Sequence, residues 1–172
     1  MNNLNFIYSE IFILLSILFL LILGVFKKKS SNLIYNLSII SLFATLVLIF
    51  SYPIESSVNL FNETYKIDFL SSFMKILTIS SAIFVLIVSP KYLKLFKIFQ
   101  MEYPILILCS ILGMMVMISS NDLMVFYIGL ELQSLSLYVL ASFNRDQLKS
   151  SEAGLKYFVL SALSSGLLLY GC

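Results

Sequence analysis

Apolar runs long enough to cross a membrane follow one another along almost the whole chain, and no other feature constrains its fold as much. They extend from about Phe6 to Phe26, Leu33 to Tyr52, Phe69 to Val88, Tyr103 to Ser119, Leu123 to Phe143 and Ser151 to Cys172. About 20 residues at 1.5 Å rise cross the ~30 Å hydrocarbon core of a bilayer. Lipid offers no partner to a free N–H or C=O, so each run predicts a helix that satisfies its own backbone. Hydrophobic residues make up 60% of the 172, well above the roughly 45–50% of soluble domains. The expected fold is an all-α polytopic membrane protein with about six transmembrane helices in one domain over residues 1–172, the fourth helix being the shortest.

Composition narrows the chemistry. There is no histidine, which excludes a histidine metal site or a serine–histidine triad within the chain. Cys109 and Cys172 lie in apolar runs and read as small core residues. Met114, Met115, Met117 and Met124 read as core filling in the same way. No glycine-rich phosphate loop, cysteine pair at metal spacing or basic-aromatic patch for nucleic acid is present. The first run has Glu10 near its start and Lys27, Lys28 and Lys29 after it, the reverse of a secretory signal, and it predicts a retained span.

The loops orient the spans. Lys27, Lys28 and Lys29, then Lys91, Lys94 and Lys97, then Arg145 and Lys149 fall in alternate loops and mark one side as the inner one. The other side holds Glu55, Glu63, Asp68 and Asp122 against Lys66 alone. Its longest loop, Pro53–Asp68, sets Val58, Leu60, Tyr65 and Ile67 around a turn-like Asn62-Glu63 and predicts a short β-hairpin on the membrane surface. Asn121-Asp122 opens the fifth helix with N-cap chemistry, and Ser150-Ser151 with Glu152 opens the sixth.

Glu131 stands inside the fifth apolar run. An ionisable group at the bilayer centre costs roughly 2.5–3.5 kcal/mol on insertion scales, and such groups mark ion or proton pathways. At helical spacing Glu131 shares a stripe with Tyr127, Ser134 and Tyr138, a face suited to protein or water rather than lipid. Burial favours the neutral form of a carboxyl and a neighbouring cation the charged form, so a group between those influences can exchange a proton. The candidate cations are Lys75 on the third helix and Lys156 on the sixth, and Lys156 also reads as a snorkelling lysine or an i,i+4 partner of Glu152. Lys156 lies roughly 9 Å from the inner side where Glu131 lies roughly 18 Å, which suits a water-bridged path better than direct contact. Lys75 reads as a snorkelling lysine. Glu10 reads as a boundary charge, and Glu102 sits at the inner mouth of the fourth helix. Ser161, Ser165 and the Ala162–Gly166 pair predict close helix packing along the sixth helix.

The stretch from Glu102 onward, with LGMMVMISSNDLMVFYIGLELQSLSLYVLASFNR and SSEAGLKYFVLSALSSGLLLYG, resembles subunit N of bacterial NADH:quinone oxidoreductase, called NADH dehydrogenase subunit 2 in mitochondria. The first hundred residues match more loosely, through the early spans, the outer loop and the SFMKIL stretch around Lys75. The resemblance implies the first part of an antiporter-like inverted-repeat fold in the membrane arm of respiratory complex I. It implies that Glu131 is the proton-path glutamate, Lys156 the proton-path lysine of helix 6, and Glu102 an accessory acid opening helix 4. It also implies that NADH, FMN, iron–sulfur clusters and quinone are bound by other subunits, so this chain itself holds no cofactor or metal and does not bind NADH directly. The implied partners are other membrane-arm subunits and the lipid bilayer, without nucleic acid. The implied location is a bacterial inner membrane, with the mitochondrial inner membrane as the alternative.

Members of that family are two to three times longer. The chain is therefore expected to be an N-terminal part, lacking the lysines of helices 7, 8 and 12 and unable to translocate protons alone. The helix-7 lysine is the implied partner of Glu131. The other readings are a subunit of a related cation/proton antiporter and a non-functional truncated scaffold.

Overall fold

The computed structural model describes residues 7–26, 31–51, 58–96 and 98–171. It contains six helices and one hairpin: α1 (Tyr8–Phe26), α2 (Ser31–Ser51), β1 (Val58–Leu60), β2 (Tyr65–Ile67), α3 (Phe69–Leu95), α4 (Glu102–Ile118), α5 (Leu123–Ala141) and α6 (Leu148–Gly171). Lys27, Lys28, Lys29, Glu55, Lys97 and Cys172, as well as the outer ends of the first two expected runs at Phe6 and Tyr52, lie outside the described residues. Five of the helices have the length and apolar composition to cross a membrane, and α4 is a shorter apolar helix.

That shorter helix is the hub. It packs against α1, α2, α3 and α5, while α6 packs against α5. The core between them is built from Ile13, Leu42, Ile79, Leu86, Leu108 and Met115, each essentially sealed from solvent. The outward faces carry exposed Leu15, Phe19, Ile22, Val47 and Phe84. Large apolar residues on an outer surface are expected where the surrounding medium is lipid.

Two glycines let α4 and α5 meet at backbone distance. A Cβ at Gly113 would stand 2.6 Å from the Gln133 nitrogen, and one at Gly129 would stand 2.8 Å from the Met117 nitrogen. Backbone atoms on rigid helices cannot step aside as a flexible side chain would. Gly113→Leu is therefore expected to cost about 1–3 kcal/mol from overpacking, read as a lower melting temperature in detergent. Gly166→Leu is the control, because no described residue lies within 4 Å of that position.

Three local features differ from the sequence-based expectation. α3 runs to Leu95 through Pro90 rather than stopping at Val88. The extra turns remain helical because Leu93 is buried against the core while Lys91 and Lys94 face outward. α6 begins at Leu148, so Glu152 falls beyond its first turn, and Ser150 Oγ donates to the Ala141 carbonyl at 3.0 Å. Asp122 is the N-cap residue of α5 but makes no capping side-chain bond.

The outer loop forms the expected hairpin, with Val58 opposite Ile67, Asn59 opposite Lys66 and Leu60 opposite Tyr65. Its turn places Phe61, Asn62 and Glu63 at φ of 51°, 53° and 70°, a left-handed run costly for residues with a Cβ. Bonds across the turn hold it: Thr64 N–H donates to the Phe61 carbonyl at 3.2 Å, and Asn121 Nδ2 donates to the Glu63 carbonyl at 2.7 Å.

Candidate functional site

Glu131 lies midway along α5 and is half-buried. Its Oε1 is buried without a hydrogen-bond partner among the described residues. Its Oε2 lies 3.5 Å from Ser134 Oγ, and that hydroxyl donates more closely, at 3.0 Å, to the backbone carbonyl of Glu131 itself. A carboxyl oxygen removed from water without a partner is costly, and it marks the place where a donor or a water fits. Tyr138, on the same stripe, is buried edge-on against Tyr157 and Phe158 of α6. Gln133, Ser134, Tyr157, Ser161 and Ser165 line a groove of about 380 Å³ between α5 and α6. The groove is mostly apolar, with the Ser134, Ser161 and Ser165 hydroxyls as the polar points to which water can bond.

Lys156 is not joined to Glu131 by an ion pair or hydrogen bond in this structure. It sits on α6 two-thirds exposed, with Nζ 2.6 Å from Glu152 Oε1 one turn earlier. The face of α6 turned to α5 runs through Gly154, Tyr157, Ser161 and Ser165. Residue 156 is two positions from Gly154, roughly 200° around the helix, so its side chain leaves that face. Glu102 opens α4 at the inner end, with Oε2 3.8 Å from Arg145 Nη2 and both groups largely exposed. Together they border a pocket of about 480 Å³ that Ser142, Ser151 and Gly154 also line. The three expected residues thus occupy separate environments.

Lys75 and Glu10 differ most from the sequence reading. Lys75 does not snorkel, and Glu10 is not a solvated boundary charge. Lys75 is 2% exposed and Glu10 7%, and Lys75 Nζ lies 2.5 Å from Glu10 Oε1. Tyr65, on β2, donates its hydroxyl to the same oxygen at 2.9 Å, and Ser9 Oγ donates to Glu10 Oε2 at 2.7 Å. The Lys75 ammonium also stands 5.5 Å from the centre of the Tyr65 ring, within cation–π range. Burial first, and the Glu10 charge second, push the Tyr65 phenol well above its ordinary value. It therefore remains a neutral donor. The available signal was depth: Glu10 and Lys75 both fall near the outer ends of their helices with opposite charge.

The small residues of α6 divide between two faces. Ser161 and Ser165 turn toward α5, whereas Ala162 and Gly166 are exposed and Gly166 meets nothing within 4 Å. The expected tight packing at the Ala162–Gly166 pair is absent among the described residues.

The fold is that of a chain in a solved structure of respiratory complex I from Thermus thermophilus with bound aureothin, with a TM-score of 0.78 over 95% of this chain and 35% of that one, at 24% identity. Residues 120–172, which hold Glu131 and Lys156, match the family described as NADH:quinone oxidoreductase/Mrp antiporter, TM. NADH-quinone oxidoreductase subunit N of Pelagibacter ubique is 73% identical over all 172 residues. Along its whole length the chain is similar to subunit N. Subunit N of Bartonella bacilliformis is 51% identical over 96% of the chain, and that of Paramagnetospirillum magneticum 47% over 96%. The chain spans about a third of the length of these subunit N proteins, 36% of the Pelagibacter one and 34% of the other two. With its apolar helices and bacterial subunit N relatives, it is a multi-pass protein of the bacterial inner membrane.

Proposed function

We propose that this chain is part of an antiporter-like, proton-translocating membrane-arm subunit of NADH:quinone oxidoreductase, and that Glu131 carries a proton within it. The observation that supports this most is the buried, unpartnered Oε1 of Glu131, whose other carboxyl oxygen lies 3.5 Å from Ser134 at the wall of the α5–α6 groove, inside the stretch that matches the antiporter family. A carboxyl in that position gains or loses a proton as a cation or water approaches or withdraws. Redox energy released in other subunits supplies the change, and Glu131 answers by releasing or taking up a proton into the α5–α6 groove.

In this reading Lys156 is the relay lysine toward the inner side: its ammonium, held outward by Glu152 here, leaves that partner and gives up a proton before it takes one from Glu131. Glu102 and Arg145 border the inner pocket through which water enters. NADH, FMN, iron–sulfur clusters and quinone are held by other subunits, and the partners of this chain are its membrane-arm neighbours and lipid. A subunit of a cation/proton antiporter is the second reading, favoured by the family description, which covers both systems.

The deciding experiment is affinity purification of the full-length protein from native membranes. NADH:quinone oxidoreductase activity and the other subunits are expected to copurify with it. Isolation with a cation/proton antiporter, or alone, would sink the proposal.

A further inference from the structure

The Glu10–Lys75 pair has no place in the proton path proposed above, yet it is the most deeply buried charge in the described residues. Replacing a buried ion pair by apolar residues is often neutral for stability, so stability alone does not account for one. What distinguishes this pair is its third member. Tyr65 belongs to the hairpin, and its phenol reaches Glu10 of α1 beside Lys75 of α3. The backbone of the same strand is joined to the turn between α4 and α5. Lys66 N–H donates to the Ser119 carbonyl at 2.8 Å, and Asn121 N–H donates to the Thr64 carbonyl at 2.9 Å. Leu60, Tyr65 and Ile67 also pack against Val125, in the first turn of α5. β2 therefore faces a charge pair through one side chain and carries the start of α5 on its backbone edge.

We propose that Glu10, Lys75 and Tyr65 form an ionic latch that fixes the outer end of α5 and so positions Glu131. The three are positioning residues. Glu10 and Lys75 form a rigid anchor between α1 and α3. Tyr65 converts that anchor into a fixed height for β2, and the Lys66 and Asn121 bonds pass it to α5. An apolar contact at position 65 would slide along the membrane normal, whereas a hydroxyl on a buried carboxylate has one seat. The latch itself stands on the geometry, while its effect on Glu131 rests on the proton-carrier reading above.

Tyr65→Phe in the full-length subunit of the assembled enzyme tests both halves, because it keeps the ring and removes the hydroxyl. Hydrogen exchange at the Lys66 and Asn121 amides is expected to rise about tenfold as the hairpin opens locally, with α2 unchanged. Unaltered exchange there overturns the latch. The second readout is the Glu131 carboxyl band in infrared difference spectra of the working enzyme, identified by its loss in Glu131→Gln. A shift of that band in Tyr65→Phe is expected. Faster hairpin exchange with an unmoved band overturns the positioning role, since a purely structural strap would give that result. Absence of any Glu131 band in the unaltered enzyme counts against the proton-carrier reading, and exchange then decides the latch alone.

Discussion

Lys75→Met is expected to destabilise the protein by about 3–5 kcal/mol, the scale for removing one partner of a buried ion pair. Glu10 would keep its Tyr65 and Ser9 donors but lose the Lys75 ammonium at its Oε1. Those hydroxyls cannot balance a full charge in surroundings that exclude water. The comparison within the same outer region is Lys66, whose Nζ lies 3.0 Å from Asp68 Oδ2 with both groups about two-fifths exposed. Water and salt already screen that pair, so Lys66→Ala is expected to cost less than about 1 kcal/mol. The double variant Glu10→Gln/Lys75→Met removes both charges and is expected to recover most of the loss. Thermal unfolding of the full-length subunit in detergent reads all three. A Lys75→Met protein as stable as the unaltered one would contradict the buried-pair account.

The helices were legible because lipid imposes a simple requirement, an apolar run of sufficient length with its backbone bonds satisfied internally. The limits of that signal are visible in α3. A proline and two lysines after Val88 look like an exit from the helix, but Leu93 buries itself and carries the helix on to Leu95. The hairpin was legible from alternating residues around a turn, whereas its attachment to Ser119, Thr64 and Asn121 is a tertiary match with no local pattern. Gly113 and Gly129 are ordinary small residues in sequence, and their function appears only when the two helices cross.

The site divides in the same way. Glu131 stood out because a carboxyl inside an apolar run has few structural uses, and the structure adds that its Oε1 has no partner among the described residues. The Glu10–Lys75 pair escaped because each charge, taken alone near a helix end, has an inexpensive explanation in snorkelling or interfacial placement. Sixty-five positions separate them, and only the packing of both α1 and α3 on α2 and α4 brings the two boundary residues into one buried contact. Lys156 was legible as a charge in a span, but the direction in which it leaves α6 depends on which face of that helix meets α5.

Glu131→Ala, introduced into the full-length subunit, is expected to lower NADH-driven proton pumping by about 10²-fold, the lower end of what a positioned acid–base group contributes. Assembly is expected to survive. The carboxyl makes only a 3.5 Å contact with Ser134, and its other oxygen holds no partner among the described residues. The α4–α5 crossing at Gly113 and Gly129 is also independent of it. Removing the side chain therefore takes away the proton carrier and little of the packing. The measurement that bears most directly on the account is NADH-driven acidification of inverted membrane vesicles, normalised to assembled enzyme, with the Glu131→Ala subunit in place. The account predicts fully assembled enzyme with acidification nearly abolished, and acidification at the unaltered rate would contradict it.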